Sequence, residues 1–340
     1  MKKSGAAADV ICVMGGGSWG TALARHLGLK GAAVRLWVHD AALAEEISRS
    51  RVNPAYLPGF EMPPGVVVTA DIARAAEGAS LAVVAIPSRY CRRSLAGASG
   101  VLPAGAPVVV ASKGIEQESL LTVSGIVADV LARRPGEIAV LSGPSFASEV
   151  AAGRPTAVVA ASTAEPLALR VQALFTAPSF RVYTSHDPVG VELGGALKNV
   201  IAIAAGVVEG SGMGPNTLAA LVTRGLAEIT RLAVALGGHP RSLAGLAGLG
   251  DLVLTCTGSL SRNRSVGQAL GKGAALPAIL GGMRMVAEGV DTARSARELG
   301  RREGIALPIT EEVNRVLFEG KAPGDGIREL MSRPPRAESD

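Results

Sequence analysis

The chain has 340 residues, is 48% hydrophobic and only 3% aromatic, holds 43 glycines and carries a net charge of +5. That length buries a sizeable core and suggests two domains, and the composition excludes a disordered or fibrous chain. The modest basic excess suits a small anionic substrate, and with no long basic stripe interleaved with aromatics it argues against nucleic acid.

The chain opens MKKSGAAADVICVMGGG. Its apolar run is too short for a secretory leader and runs straight into glycines. Cys12, Cys91 and Cys256 are far apart and have no C-x-x-C spacing, so neither a zinc site nor a disulfide framework is expected, and a reducing, cytoplasmic setting is. Short β-branched runs then alternate with helical stretches. Strands are expected at Val10–Met14, Val34–His39, Val66–Thr69, Leu81–Ile86, Pro107–Ala111, Ile138–Leu141 and Thr156–Ala160, with Phe180–Tyr183 closing the sheet. Several are apolar throughout, as central strands covered on both faces are. The alternation implies a mostly parallel sheet with right-handed crossovers, an α/β Rossmann-like domain.

Gly15, Gly17 and Gly20 fit G-x-G-x-x-G between the first strand and a helix starting near Ser18. In that context the pattern reads as a dinucleotide loop: a tight turn, a close approach to pyrophosphate, and a tight helix–strand contact. The second strand ends at His39 and Asp40, about twenty residues past Gly20. An acid there favours NAD and a cation favours NADP. Both types are present, with Arg49 and Arg51 further on, so the choice stays open.

Lys113 follows a strand directly in a Ser-Lys-Gly turn, at the sheet edge where ligands collect. Ser145, after the strand ending at Leu141, is placed to cap a short helix stopped by Gly153.

After about Pro188 strand-like runs nearly vanish. Helices are expected at Gly190–Val208, Thr217–Ala235, Arg262–Leu270, Val290–Arg302 and Thr310–Phe318. The division is therefore an α/β domain at 1–188, an all-α domain at 189–332 and a disordered tail at 333–340. Val189–Val208 is the least polar long segment, but Glu192, Lys198, Asn199 and several glycines argue against a bilayer span. Lys198 stands out among small and apolar neighbours. On a helix its side chain leans back over Gly194 and Gly195, which would leave a slot for a ligand. It is either a snorkelling lysine or one with a proton to give. Asp251 is either a plain N-cap or the carboxylate that positions a lysine. Ser261 reads as an N-cap, with Arg262, Asn263 and Arg264 in the first turn. Cations there oppose the helix dipole unless an anion such as phosphate binds.

GGGSWGTALA, SGPSFASEVAAG, ELGGALKNVIAIAAG, LVTRGLAEITRL, GLGDLVLTCT, SRNR and PITEEV, in this order, resemble the bacterial type of NAD(P)-dependent glycerol-3-phosphate dehydrogenase over nearly the whole chain. The resemblance implies reversible reduction of dihydroxyacetone phosphate to sn-glycerol 3-phosphate, feeding phospholipid synthesis, and requires no metal. It makes Lys198 the proton donor, Lys113 a second lysine touching substrate and cofactor, and Asp251 the carboxylate near Lys198. It gives Ser261, Arg262 and Asn263 the substrate phosphate, with Arg262 also near the cofactor. Gly143, Ser145 and Asn199 become further substrate contacts, and Ser18, Trp19, His39, Ala147, Val286 and Glu288 cofactor contacts. No catalytic position departs from the pattern. The rival readings are another two-domain dehydrogenase, acting on a hydroxy acid or sugar phosphate, and a non-catalytic NAD(P)-sensing protein. The sensor has no need of Lys198, Lys113 and Asp251 together. The small residues of the helical half suit a homodimer.

Overall fold

The computed structural model describes residues 9–283, 285–335 and 337–338. The two leading lysines and Arg336, Ser339 and Asp340 of the expected tail lie outside the described residues.

Eight strands form one sheet: β1 (Val10–Met14), β2 (Ala33–Trp37), β5 (Val66–Thr69), β6 (Leu81–Val84), β7 (Val108–Val110), β8 (Ile138–Ser142), β9 (Thr156–Ala161) and β10 (Phe180–Ser185). β3 (Val52–Asn53) and β4 (Leu57–Glu61) make a separate antiparallel hairpin. The order across the sheet is β10-β9-β8-β7-β6-β1-β2-β5. Pairing is parallel except between β8 and β9. A parallel return needs a crossover of a dozen residues or more, usually helical. The β8–β9 connection, residues 143–155, is long enough for such a crossover but holds only a five-residue helix, and β9 runs back antiparallel. The central strands are buried throughout, as their unbroken Val/Ile/Ala runs require.

Helices of this half are α1 (Ser18–Leu29), α2 (Ala41–Ser50), α3 (Ile72–Ala76), α4 (Ser88–Ala96), α5 (Val123–Val130), α6 (Ala147–Ala151) and α7 (Glu165–Phe175). The remainder is helical: α8 (Pro188–Gly210), α9 (Pro215–Ala235), α10 (Pro240–Leu243), α11 (Asp251–Thr257), α12 (Arg262–Gly271), α13 (Leu276–Gly281), α14 (Glu288–Arg302), α15 (Pro308–Phe318) and α16 (Pro323–Met331). Expected and observed helices differ mainly at their starts. α8, α9 and α15 each begin at a proline, whose fixed φ suits the first helical position.

The chain forms two compact units. One holds the residues up to Lys113 with Leu121–Glu192; the other holds Gly114–Leu120 with the residues from Leu193 onward. The boundary therefore falls inside α8 rather than at 188/189, and a short internal segment joins the helical unit. Ile115, 1% exposed, lies in the helical core, and its carbonyl accepts the Ser295 hydroxyl at 3.1 Å. α8 is apolar and long enough to cross a membrane, and its most apolar window is wholly buried in the fold. Its glycines permit a close helix crossing. A Cβ on Gly206 would lie 2.0 Å from the Arg264 carbonyl of α12, and one on Gly267 would lie 1.9 Å from the Ile203 carbonyl of α8. Beyond α16 the described residues form no helix or strand, but the Glu338 carbonyl accepts from Arg224 at 3.0 Å.

Candidate functional site

The glycine loop is built by exclusion. Gly15 has φ +126°, and a Cβ there would lie 2.4 Å from the Ala85 carbonyl. A Cβ on Gly20 would lie 1.9 Å from the Gly15 carbonyl, so α1 can press onto β1 only with glycine there. Nothing lies within 4 Å of where a Gly17 Cβ would be, which leaves that face open. Asn53 is fully buried and donates to the Gly16 carbonyl and the Thr21 hydroxyl, both at 2.9 Å. It braces the loop from the hairpin, a role that nothing in its local pattern announced. Trp19 follows Ser18 in the first turn of α1. Its indole Nε1 is buried without a hydrogen-bond partner among the described residues, and its ring packs in a cluster with Ala147, the first residue of α6. An open Gly17 face, a helix N-terminus and an orphaned donor fit a dinucleotide.

At the end of β2, His39 and Asp40 are exposed. Asp40 caps α2, accepting from the Ala42 and Leu43 amides at 2.9 and 3.1 Å.

Lys113, past the end of β7, is half-buried and donates to the Gly143 carbonyl, past the end of β8, at 3.1 Å. Ser145 donates to the same carbonyl at 2.9 Å. The expected Ser145 cap does not form. Phe146 occupies the N-cap of α6, no side chain caps that helix, and the serine hydroxyl turns back instead. Gly143 sits at φ +144°, where a Cβ would come within 2.9 Å of the Val158 backbone. That conformation aims its carbonyl at Lys113 and Ser145.

In the helical unit, Lys198 is 6% exposed and Asp251 1%. Lys198 Nζ donates to Asp251 Oδ1 and to Thr255 Oγ1, the latter at 2.8 Å. Thr255 in turn donates to the Asp251 backbone carbonyl at 2.6 Å. Asp251 is not an N-cap. A wide π-type turn over Leu246–Gly250 precedes it, Asp251 is already helical, and its carboxylate accepts the lysine. On the Gly194 side the slot expected beside Lys198 is closed, since a Cβ there would lie 2.9 Å from the Ala247 carbonyl of this turn. Thr255 was missed, although its i+4 spacing from Asp251 places both on one helix face. Neighbouring Cys256 is no nucleophile, because burial pushes its thiol up to about 12.

The SRNR turn divides its labour. Ser261 is the N-cap of α12, accepting from the Arg264 amide at 3.2 Å. Arg262 is exposed in the first turn. Desolvation by its neighbours pulls Arg262 below the ordinary arginine value and the Glu288 carboxylate opposes that, so these two lie within electrostatic reach of each other. Arg264 points elsewhere and pairs with Glu209 at 2.6 Å. Asn263 is buried as well. It donates to Asn199 Oδ1 at 2.9 Å and accepts the Gly289 amide at 2.9 Å, tying α12 to α8 and α14. Val286 is half-buried just ahead of α14, and Glu288 is its first residue. Within the helical unit this unites Lys198 with Asp251, Asn199 with Asn263, and Arg262 with Glu288. In the other unit it unites Lys113 with Gly143 and Ser145, and Trp19 with Ala147.

Two family models match the chain. The N-terminal model of NAD-dependent glycerol-3-phosphate dehydrogenase matches residues 10–168, and the C-terminal model of the same enzyme matches residues 187–328. A curated glycerol-3-phosphate dehydrogenase [NAD(P)+] of Geobacter sulfurreducens is 54% identical over 332 residues, covering 96% of this chain and 98% of that protein. One of Anaeromyxobacter dehalogenans is 52% identical over 96% of this chain and 98% of its own length. The crystal structure of glycerol-3-phosphate dehydrogenase from Coxiella burnetii superposes with a TM-score of 0.92 at 38% identity, covering 95% of this chain and 99% of that one. A ketopantoate reductase from Ralstonia eutropha, 18% identical with a TM-score of 0.60 over 93% of this chain and 99% of its own, shares the fold alone.

Proposed function

Since the chain belongs to the NAD-dependent glycerol-3-phosphate dehydrogenase family, we propose that it reduces dihydroxyacetone phosphate to sn-glycerol 3-phosphate, reversibly, with NADH or NADPH. The product is the backbone of glycerophospholipids. The observation that carries this reading is Lys198, a buried lysine held by Asp251 and Thr255 in a chain that also has the dinucleotide loop.

A nicotinamide cofactor, when held there, would supply the hydride that the carbonyl carbon takes up. Gly15, Gly17, Gly20, Ser18, Trp19, His39 and Ala147 hold the cofactor in this reading, with Lys113, Arg262, Val286 and Glu288 as further contacts. Lys198 Nζ gives a proton to the carbonyl oxygen as the C–H bond forms, and the ketone becomes a secondary alcohol. The lysine is left as an amine beside the Asp251 carboxylate, which favours its reprotonation, and the reverse reaction uses that amine as the base. Thr255 fixes the direction in which Nζ points. Lys113 adds positive charge for the developing alkoxide, with Gly143, Ser145 and Asn199 as further substrate contacts. The N-terminus of α12, with Ser261 as cap and Arg262 exposed, takes the substrate phosphate, while Asn263 holds that turn against α8. Phosphate binding energy then orients the reacting carbonyl. A cytoplasmic homodimer belongs to the same reading, and so does the absence of bilayer insertion, which the complete burial of the apolar window of α8 supports.

The test is oxidation of NADH and of NADPH, followed by absorbance, with dihydroxyacetone phosphate and with dihydroxyacetone. Turnover of the phosphorylated ketone alone is expected. No turnover with either cofactor would remove the substrate assignment.

A further inference from the structure

We propose that Gly289 is a positioning residue of this site. It lets three helices meet at one point, and that meeting sets the spacing between Lys198 and the turn that takes the phosphate, and with it the length of substrate that reacts. The proposal deepens the dehydrogenase reading and rests on it.

The two ends of the substrate are served by different helices of the helical unit. Lys198 is on α8, whereas Ser261 caps α12 and Arg262 begins it. In dihydroxyacetone phosphate the carbonyl carbon is bonded directly to the carbon that bears the phosphate, so a single separation of α8 from the start of α12 serves it. An error of about 1 Å in such a separation costs on the order of 10²-fold in rate.

Gly289 follows Glu288 in the first turn of α14 and is buried where these helices meet. Its amide donates to Asn263 Oδ1 at 2.9 Å, and Asn263 Nδ2 donates to Asn199 Oδ1 at 2.9 Å. Asn199 directly follows Lys198 and Asn263 directly follows Arg262, so this tie joins the neighbours of the two working residues. Position 289 has no room for a side chain. A Cβ there would lie 2.5 Å from the Asn199 carbonyl and 2.9 Å from Asn263 Oδ1. A main-chain oxygen cannot turn aside as a side chain can, so a larger residue must part α14 from α8 and draw the amide away from Asn263.

A second, independent contact pins the same pair of helices. The Gly206–Gly267 crossing lies about 7.5 Å along α12 from Arg262. Past it, a Cβ on Gly210 would lie 2.3 Å from the Gln268 carbonyl, and one on Gly271 would lie 2.6 Å from the Val207 carbonyl. These are contacts between main chains, which no change of rotamer relieves. Held at the asparagine tie and at the crossing, α8 and α12 have one separation, and the distance from Nζ to the phosphate turn is fixed with it.

The experiment compares kcat/KM for dihydroxyacetone phosphate with that for its isomer D-glyceraldehyde 3-phosphate, whose carbonyl lies one carbon further from the phosphate. NADH is the reductant, and the proteins are wild type, Gly289→Ala and Gly267→Ala. Wild type should favour dihydroxyacetone phosphate by about tenfold or more. Each variant should narrow that ratio by about fivefold or more, chiefly through a lower kcat with dihydroxyacetone phosphate. The ratio does not depend on how much of the enzyme is folded, so lost stability alone would leave it unmoved. A smaller preference in wild type would overturn the proposal and leave the dehydrogenase reading intact. So would an unchanged ratio in Gly289→Ala or, should that variant not fold, in Gly267→Ala. Turnover of neither isomer by wild type would overturn both.

Discussion

Lys113 and Lys198 are the same residue type solved in two different ways. Lys113, half-buried past a strand end, donates to a neutral carbonyl. Lys198, buried mid-helix, donates to a carboxylate and a hydroxyl. The difference follows from burial. A half-exposed ammonium keeps part of its hydration, whereas a buried one must be paired and hydrogen-bonded or lose its proton. A lysine kept charged at such a cost, with a built-in route to recharge after giving up its proton, suits proton transfer. A lysine at a wet sheet edge suits charge stabilisation.

The largest expected effect separates the two. Lys198→Ala should lower turnover by roughly 10²–10⁴ while leaving NADH affinity within about twofold. Near-normal turnover would erase the distinction. The pairing argument makes a second demand. Asp251→Ala should cost about 3–5 kcal/mol in denaturant unfolding, because it strands a buried ammonium. The double variant Lys198→Met/Asp251→Leu should recover most of that stability and none of the turnover. If it stays as unstable as the single variant, the buried pair is structural in a way that simple charge compensation misses.

Two glycines sharpen the same contrast between holding a fold and leaving room for a ligand. Gly17→Ala should leave the unfolding midpoint nearly unchanged and weaken NADH binding at least tenfold, since its open side meets nothing in the protein. Gly20→Ala should destabilise by about 1–3 kcal/mol or more, because its Cβ would overlap the Gly15 carbonyl. The smallest effects compare two arginines two residues apart. Arg262→Ala should raise KM for dihydroxyacetone phosphate about tenfold or more, the loss of a charge-assisted phosphate contact. Arg264→Ala should leave KM close to wild type and cost about 1 kcal/mol or less, since its partner Glu209 is partly exposed. Equal KM changes would show that SRNR acts as one undivided clamp.

The sheet was legible because central strands must be apolar on both faces, and Leu81–Val84 or Ile138–Ser142 can hardly be anything else. The hairpin of β3 and β4 was not, because the prolines of VNPAYLPGFEMPP disguise it. The reversal of β9 leaves no mark in composition, since an apolar strand reads the same in either direction. In the site, Lys198 and Asp251 were readable as oddities, a lysine among apolar residues and an acid after glycines. Their bond was only one of two options until the π-type turn removed the other. The diversion of Arg264 to Glu209 and the burial of Asn263 under Gly289 depend on helix packing, which a first-turn motif does not encode.

The segment Gly114–Leu120 has a bearing on how such a gene can be inherited. Three passages of the chain between the units mean that no single cut yields two self-sufficient halves. A helical fragment beginning at Leu193 would lack Ile115 from its core and leave the buried Ser295 hydroxyl without its acceptor. Recombination that swaps one half for a foreign counterpart must carry this seven-residue insert across as well, so the two units are bound to descend together rather than trade as independent modules.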